Sequence, residues 1–246
     1  ISNGVRIGNG THIVAETVKL GKRVWIGHRT QIRTRTISMG DESEITNDVE
    51  IGGMDSPQSK LVMGKRSSIM AHSFVNVTCP VTVGDDVGIG GASLIFTHGS
   101  WGNMLDGYPY ETGPVTIHDD VWIPWGVTIL PNLSIGEGTV IGARSLVLRT
   151  LPAHVLAVGI PAKIVKTNYP TKLDTQRNDS LVTKIIRELQ DYLDWKQLNV
   201  RIVSVHGTLN WSVIHKASPY LPVIITYASD VAQDFDTPDF DTPYIN

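Results

Sequence analysis

The residue best suited to chemistry in this 246-residue sequence is His98, near the start of a polar and aromatic segment, residues 96–114. An imidazole, with an ordinary pKa of about 6.5, can accept a proton at neutral pH, as a general base must. The same segment holds two carboxylates, Asp106 and Glu111, which could bind substrate hydroxyls or orient His98. The sequence alone does not choose between these roles.

Aromatic side chains give the segment a second property. Trp101, Tyr108 and Tyr110 supply flat apolar faces that suit stacking on a sugar ring. Together with His98, they make residues 96–114 the candidate substrate-binding segment. The alternative is a surface loop whose histidine has no chemical role.

The elements that would position this segment follow from a six-residue repeat, which is the first feature to seek in any sequence. Aliphatic residues recur every six positions in one long run and in several shorter sets before it. The long run is Ile117, Ile123, Ile129, Ile135, Ile141 and Val147. The earlier sets are Leu20, Ile26, Ile32; Met39, Ile45, Ile51; Met63, Ile69, Val75; and Val83, Ile89, Ile95, after a partial set of Ile7 and Ile13.

A period of six fits neither a helix nor a simple hairpin. It predicts a triangular coil with a short strand on each face and about 18 residues per turn, whose aliphatic residues stack inside the prism. The predicted fold is an all-β left-handed parallel β-helix of hexapeptide coils with a protruding loop, residues 96–114. Breaks in the repeat near residues 14–19, 33–38, 52–62 and 77–82 are predicted to be loops at corners.

The end of the repeat predicts the domain organisation. Residues 1–150 form the β-helix domain, residues 151–170 leave the prism as a capping strap, and residues 171–246 form a small α/β appendage. Within the appendage we expect an amphipathic helix over 180–197, capped by Asn178, Asp179 or Ser180. Strands are expected within 200–206, 208–215 and 221–228, followed by an acidic tail from Asp234.

Composition narrows the functional class. The formal net charge of −3 is too small to indicate nucleic-acid binding, and no apolar run reaches the length of a membrane span. A single cysteine, Cys79, excludes a disulfide framework and a multi-thiolate zinc site, and it favours a reducing, cytoplasmic location. Four arginines near the start either contact an acidic acceptor or form a solvated face: Arg23, Arg29, Arg33 and Arg35.

Residues 60–166 resemble the hexapeptide-repeat acyltransferases, and more narrowly the branch of maltose, galactoside and xenobiotic acetyltransferases. The segments that carry the resemblance are 97–98, 115–123, 126–131, 141–145 and 157–165. The resemblance implies transfer of an acetyl group from acetyl-CoA to a hydroxyl or amine, with His98 as the general base. It also implies a homotrimer with its sites between neighbouring chains.

The same resemblance implies roles for residues outside the loop. The backbone N–H of Trp125 would stabilise the oxyanion of the tetrahedral intermediate. Trp122 would line the cofactor channel near the thiol, and Asn76 would face the acceptor pocket. The other residues implied in coenzyme A binding are Gly142 and Ala143 along the pantetheine arm, and Arg149, Lys163 and Lys166 at the nucleotide end.

Two positions depart from the family pattern. Pro124, followed by the bulky Trp125, stands where glycine is common after Trp-Ile, so the Trp125 ring would narrow the channel or cover the thioester. His118 replaces another common glycine, either as a corner residue or as a second histidine of the site.

The preferred hypothesis is an acetyl-CoA-dependent O-acetyltransferase acting on a sugar or polysaccharide. The alternatives are an N-acetyltransferase of an amino-sugar nucleotide or antibiotic, a γ-class carbonic anhydrase, and a non-enzymatic β-helix scaffold. A carbonic anhydrase needs three histidines on zinc, and only His72 and His98 are available at suitable places. The scaffold does not explain His98 or its loop. No metal is expected.

Overall fold

The structure of this chain is a computed structural model that describes residues 1–99, 102–171 and 175–197 and the strands 200–205, 209–215 and 223–227. The chain divides into two compact units, Ile1–Thr171 and Lys172–Asn246. The first unit is a solenoid of three parallel sheets, and the second contains one helix and a three-stranded sheet. The predicted fold class, a left-handed parallel β-helix with an α/β appendage, is confirmed.

Each coil of the solenoid adds one strand to sheet A, then B, then C. Sheet A contains Arg6–Ile7, Trp25–Ile26, Glu44–Ile45, Ser68–Ile69, Gly88–Ile89, Trp122–Ile123, Val140–Ile141, Val155–Val158 and Lys163–Thr167. Sheet B contains His12–Val14, Gln31–Arg33, Glu50–Gly52, Phe74–Asn76, Leu94–Ile95, Thr128–Ile129 and Leu146–Val147. Sheet C contains Thr17–Leu20, Thr36–Met39, Lys60–Met63, Val81–Val83, Val115–Ile117 and Leu133–Ile135. We name the corners AB, BC and CA after the sheets that they join in chain order.

The interior is a stack of aliphatic side chains, as the hexad predicts. In sheet A, Ile45 pairs with Ile69, Ile69 with Ile89, and Ile89 with Ile123, and all four are fully buried. Burying one such side chain contributes about 1.5–3 kcal/mol. Moving a strand by one residue would turn its aliphatic side chain out of the prism. The columns therefore fix the register of every coil.

Extra residues enter the coils at a single corner. From sheet A to B, and from C to A, equivalent interior residues are always six apart, as in Ile89 to Ile95 and Ile117 to Ile123. Across corner BC the separation varies from 4 (147 to 151) to 22 (95 to 117). Corner BC therefore carries every insertion of this solenoid, including the loop 96–114.

Most coils are longer than the regular turn of about 18 residues. Paired residues of sheet A are 19 apart in Ile26 and Ile45, 20 apart in Ile69 and Ile89, and 18 apart only in Trp122 and Val140. The predicted loops at 14–19 and 33–38 are wrong, because strands Thr17–Leu20 and Thr36–Met39 occupy half of these ranges and the preceding strands end within them. The break in the hexad there is one added residue at corner BC.

The solenoid also continues past residue 150. Leu151 pairs with Ile135 in sheet C, and Val155–Val158 pairs in parallel with Val140–Ile141 in sheet A. Buried Ala157 takes the column position beside Ile141, and Val155 is buried two residues before it, although Pro152 and His154 interrupt the hexad. The prediction that the chain leaves the prism at 151 is thus wrong for 151–158. Strand Lys163–Thr167 then turns back antiparallel on Val155–Val158.

The base-rich start is largely neutralised by ion pairs along the corners. Arg23 pairs with Glu42, Arg29 with Asp48, and Arg35 with both Glu16 and Asp55. Hydrogen bonds from Arg29 lower the pKa of Asp48. Of the four arginines singled out by sequence, Arg33 alone has no ion pair within the described residues.

The second unit contains the helix Thr175–Trp195 and the antiparallel strands Val200–Val205, Leu209–His215 and Val223–Tyr227. The helix begins five residues earlier than predicted. Asn178, Asp179 and Ser180 therefore lie inside it, and the prediction that one of them caps it is wrong. The acidic tail from Asp234 lies outside the described residues. None of the described helices has the length and apolar character needed to cross a membrane.

Corner residues with left-handed backbone give a stability test. Ala92 has a φ of +54°, which costs a non-glycine residue about 1–2 kcal/mol. Ala92→Gly removes this cost, partly offset by about 0.5–1 kcal/mol of added chain entropy in the unfolded state. We expect a gain of about 0.5–1 kcal/mol in the free energy of unfolding, measured in urea.

The matched control is Ala143→Gly. Ala143 is exposed at the same corner AB, and its φ is not among the positive values of the described residues. This change should lower the free energy of unfolding by about 0.5–1 kcal/mol. If both glycines shift stability in the same direction, the corner conformation is not the cause.

Candidate active site

His98 is held at the base of the loop on corner BC. The loop closes on itself as a short antiparallel pair, in which His98 bridges to Thr112. The N–H of Gly99 donates to the carbonyl of Glu111 at 3.0 Å, and the N–H of Gly113 donates to the carbonyl of Thr97 at 3.0 Å. The backbone of His98 is thereby fixed between two hydrogen bonds, while its side chain remains half-buried.

A buried polar network supports His98 from the coil below. The Thr97 hydroxyl is fully buried and lies 2.7 Å from Oδ1 of Asn76. The same hydroxyl oxygen accepts the N–H of Cys79 at 3.0 Å, and Oδ1 of Asn76 accepts the N–H of Thr78 at 3.1 Å. Asn76 therefore lies directly beneath the residue that precedes His98. Sequence reasoning selected Asn76 but missed Thr97, whose signal is its place between a column residue and His98.

The His98 ring contacts an aromatic residue of its own loop. The ring centroid of Tyr110 is 5.9 Å away, at an interplanar angle of 73°. Edge-to-face geometry of this kind is favourable and restricts the orientation of the imidazole. Tyr110 is therefore a neighbour that orients the ring of His98.

The outer part of the loop is exposed. Met104–Asp106 forms one 3₁₀ turn, whose first N–H groups include that of Leu105, bonded to Oδ1 of Asn103 at 3.0 Å. Asp106, in this turn, and Tyr108, after it, are open to solvent. Trp101, the other aromatic residue expected in the site, lies outside the described residues.

Corner AB carries a second feature, a row of backbone donors. In the first coils, the N–H of each corner residue donates to the side chain one coil up: Asn9 to His28 at 2.9 Å, and His28 to Asn47 at 2.7 Å. The next residues at this position are Ala71, Gly91, Trp125 and Ala143, which offer no such side-chain acceptor. This ladder of hydrogen bonds from a backbone N–H to a side chain one coil up therefore ends at Asn47.

The donors above that point are left without protein partners. In the part of the chain that the structure describes, the N–H groups of Asn47, Ala71, Gly91, Trp125 and Ala143 donate to no protein atom. Polar backbone groups require an acceptor, which here must be water or a ligand. Because one donor follows the next in each coil, the row suits an extended ligand with several acceptors.

A second series of backbone hydrogen bonds at corner AB is interrupted at Pro124. The residue before each of these donors uses its own N–H to bond to a carbonyl of the next coil. The N–H of Gly90 donates to the carbonyl of Ile123 at 2.6 Å, and that of Gly142 to the carbonyl of Ala157 at 2.8 Å. Pro124 has no N–H and cannot do so. Trp125 and Gly126 are the central residues of the turn, and Gly126 has a φ of +72°, as in a type II turn. The turn leaves the Trp125 N–H available.

The predicted site residues fall into three groups that one chain does not bring together. Asn76 ends a strand of sheet B, and His98 and Arg149 follow strands of the same sheet at corner BC. Trp125, Gly142 and Ala143 lie at corner AB, on the other side of sheet B. The third group lies on sheet A: Trp122, Lys163 and Lys166.

His118 lies at a different corner from His98. It follows strand Val115–Ile117 at corner CA, and its Nε2 lies 3.1 Å from the hydroxyl of Ser134. Of its two predicted roles, this position fits a corner residue. The described residues contain no group of three or more histidine, cysteine, aspartate or glutamate side chains placed to hold a metal ion.

Comparison with curated proteins finds short regions of high identity to proteins named for acetyl transfer. The chain is 51% identical over 53 residues to a "Putative acetyltransferase" of Schizosaccharomyces pombe, which is 22% of this chain and 26% of that protein. A Saccharomyces cerevisiae protein of the same name is 47% identical over 62 residues, 25% of this chain and 31% of its own length. The chain thus spans about a quarter to a third of these relatives. No family model matches it.

Among solved structures, the chain is similar to the polySia-specific acetyltransferase NeuO. The identity is 23%, with 75% of this chain and 99% of that chain covered, at a TM-score of 0.44. It is also similar to AntD, an N-acyltransferase from Bacillus cereus, with 18% identity, coverage of 75% and 91%, and a TM-score of 0.45.

The network beneath His98 generates a prediction. Thr97→Val keeps the shape of the side chain but removes the hydroxyl, so the half-buried N–H of Cys79 loses its acceptor. We expect a loss of about 1–3 kcal/mol in the free energy of unfolding, measured in urea. The control is Thr116→Val, because the Thr116 hydroxyl, on sheet C, makes no hydrogen bond within the described residues. It should change stability by less than about 0.5 kcal/mol, and an equal loss in both variants would refute the role of the network.

Proposed function

We propose that this chain is an acetyl-CoA-dependent acetyltransferase of the hexapeptide-repeat class that acetylates a hydroxyl of a sugar or polysaccharide. One observation carries the proposal. A histidine fixed at a loop base on corner BC is combined with a row of unpartnered N–H donors, including that of Trp125, on corner AB. The local identity to proteins named as acetyltransferases supports the same reaction class.

The chemistry requires a base and an oxyanion donor. His98 accepts the proton of the acceptor hydroxyl as its oxygen attacks the thioester carbonyl carbon. The negative charge that develops on the carbonyl oxygen is stabilised by the N–H of Trp125. When the intermediate collapses, the carbon–sulfur bond breaks, and the thiolate of coenzyme A takes up the proton from His98.

The residues of corner AB fit the thin arm of coenzyme A. Ala143, which follows Gly142, is exposed and has a small side chain, and its N–H offers a donor one coil above Trp125. Lys163 and Lys166, exposed on the last strand of sheet A, and Arg149 would meet the phosphates of the nucleotide. Trp122, exposed on sheet A, would lie beside the arm near the thiol.

The loop would bind the acceptor. Tyr110, in contact with His98, and Tyr108, on the same loop, are exposed aromatic rings, as stacking on a sugar face requires. Asp106 and Glu111, with Trp101, would contact the hydroxyls and the ring of the sugar. Asn76 would act through Thr97 by holding the loop base under the acceptor. Since acetyl-CoA and reduced thiols such as Cys79 suit the cytoplasm, we place the reaction there.

The proposed site requires more than one chain. His98 and the Trp125 N–H lie on different corners of the same prism, separated by sheet B. A base and an oxyanion donor must act on one thioester, so corner BC of one chain has to face corner AB of a neighbour. A cyclic homotrimer forms three equivalent contacts of this kind.

The general base can be tested directly. We expect His98→Ala to slow the release of coenzyme A thiol from acetyl-CoA by about 100-fold or more, because proton transfer in the transition state is lost. The assay uses a panel of sugars, amino sugars and amino-glycoside antibiotics, which also separates O- from N-acetylation. His118→Gln is the control, since this histidine lies on corner CA, and it should keep wild-type rates. Unchanged turnover in His98→Ala would remove His98 from the mechanism.

The shared site predicts complementation between two inactive variants. Trp125→Pro removes the oxyanion donor, and proline is favoured at this position of a type II turn. When His98→Ala and Trp125→Pro chains are refolded together as trimers, about a quarter of the sites should combine an intact base with an intact donor. Activity should therefore return to about a quarter of wild type. A mixture that stays inactive, with mixed trimers shown by native mass spectrometry, would place the whole site in one chain.

A further inference from the structure

The Trp125 side chain fills a place made by glycine in the coil below. A Cβ built on Gly91 would stand 2.7 Å from Cη2 and 2.8 Å from Cζ3 of the Trp125 ring. The same Cβ would stand 2.7 Å from the carbonyl oxygen of Ala71. The far edge of the indole is thus seated on the backbone of Gly91, and any larger residue there would displace it.

The Trp125 ring is much larger than the side chains of its neighbours on corner AB. The equivalent residues in adjoining coils, Ala71, Gly91 and Ala143, have little or no side chain. They leave a shallow channel along the row of unpartnered donors, and the Trp125 ring covers the part of it over Gly91. The ring is nevertheless 59% exposed, so it closes the channel without being part of the core.

The position of the Trp125 ring along the row of backbone N–H donors determines which part of a bound acyl-CoA it would meet. The N–H of Arg144 bonds to the carbonyl of Trp125, and the N–H of Gly126 bonds to the carbonyl of Gly91, so the coils follow in the order Gly91, Trp125, Ala143. In the proposed function, the pantetheine arm approaches from Ala143 and the thioester carbonyl lies at the Trp125 N–H. An acyl chain that continues the same line reaches Gly91, where the ring lies.

We propose that the indole of Trp125 determines the length of the acyl group, because it blocks corner AB over Gly91 and admits acetyl while excluding longer chains. This inference rests on the proposed function and assigns a specificity role to a side chain whose backbone N–H serves the chemistry. Pro124, whose ring fixes its own φ, precedes Trp125 and restricts the turn that carries the indole. Each methylene that a closed pocket must accommodate typically changes discrimination by about 10-fold or more.

The test compares binding of coenzyme A, acetyl-CoA and butyryl-CoA to the full chain by isothermal titration calorimetry. Wild type should bind butyryl-CoA at least about tenfold more weakly than acetyl-CoA. In Trp125→Ala, which keeps the backbone N–H, the two affinities should come within about threefold, and Trp125→Phe should fall between. Trp25→Ala is the control, because it removes an indole from sheet A in an early coil, and it should keep the wild-type ratio.

The outcomes separate the inference from the function on which it rests. If all chains bind coenzyme A but Trp125→Ala and Trp125→Phe keep the wild-type ratio of acetyl-CoA to butyryl-CoA affinity, the inference is wrong and the proposed function stands. A wild type that binds both acyl-CoA molecules equally also overturns the inference. If wild type binds no coenzyme A at all, the proposed function itself fails.

Discussion

The structure depends on the vertical stacking of aliphatic residues within each sheet, coil upon coil. Because side chains alternate between the interior and the exterior along each short strand, a slip of one residue would bury a polar side chain and expose an aliphatic one. Corners AB and CA therefore keep six-residue spacing throughout, and added residues are tolerated only at corner BC. The constraint that makes the core uniformly aliphatic therefore also confines every insertion, including the loop that contains His98, to corner BC of the prism.

The polar backbone at the corners obeys a second constraint, which connects the fold to its chemistry. A tight corner leaves an N–H that needs an acceptor, and in the early coils His28 and Asn47 supply one. Where the corner residues become Ala71, Gly91, Trp125 and Ala143, no atom of the described residues replaces these acceptors. Without acceptor side chains such as those of His28 and Asn47, the backbone N–H groups are free to bind a ligand and the space beside them is open. The loss of these side chains therefore prepares a ligand site.

The repeat could be predicted from sequence because each column position is an aliphatic residue at a constant spacing, as in Ile117 to Ile135. The continuation through Leu151 and Val155 could not, since the pairing of strands compensates for a broken hexad. The ion pairs of Arg23, Arg29 and Arg35 depend on a 19-residue coil, which differs from the regular turn by one residue. The Thr97–Asn76 contact and the ring of Trp125 on Gly91 join separate coils, and no local pattern reveals them.

The central claim is that the unpartnered donors of corner AB receive coenzyme A. Hydrogen–deuterium exchange of the full chain, resolved to single amides with and without coenzyme A, tests it most directly. The amides of Trp125 and Ala143 should exchange several-fold more slowly when coenzyme A is bound, while those of Asn9 and His28, which already have protein acceptors, should not change. Binding of coenzyme A with unchanged exchange at Trp125 and Ala143 would contradict the account.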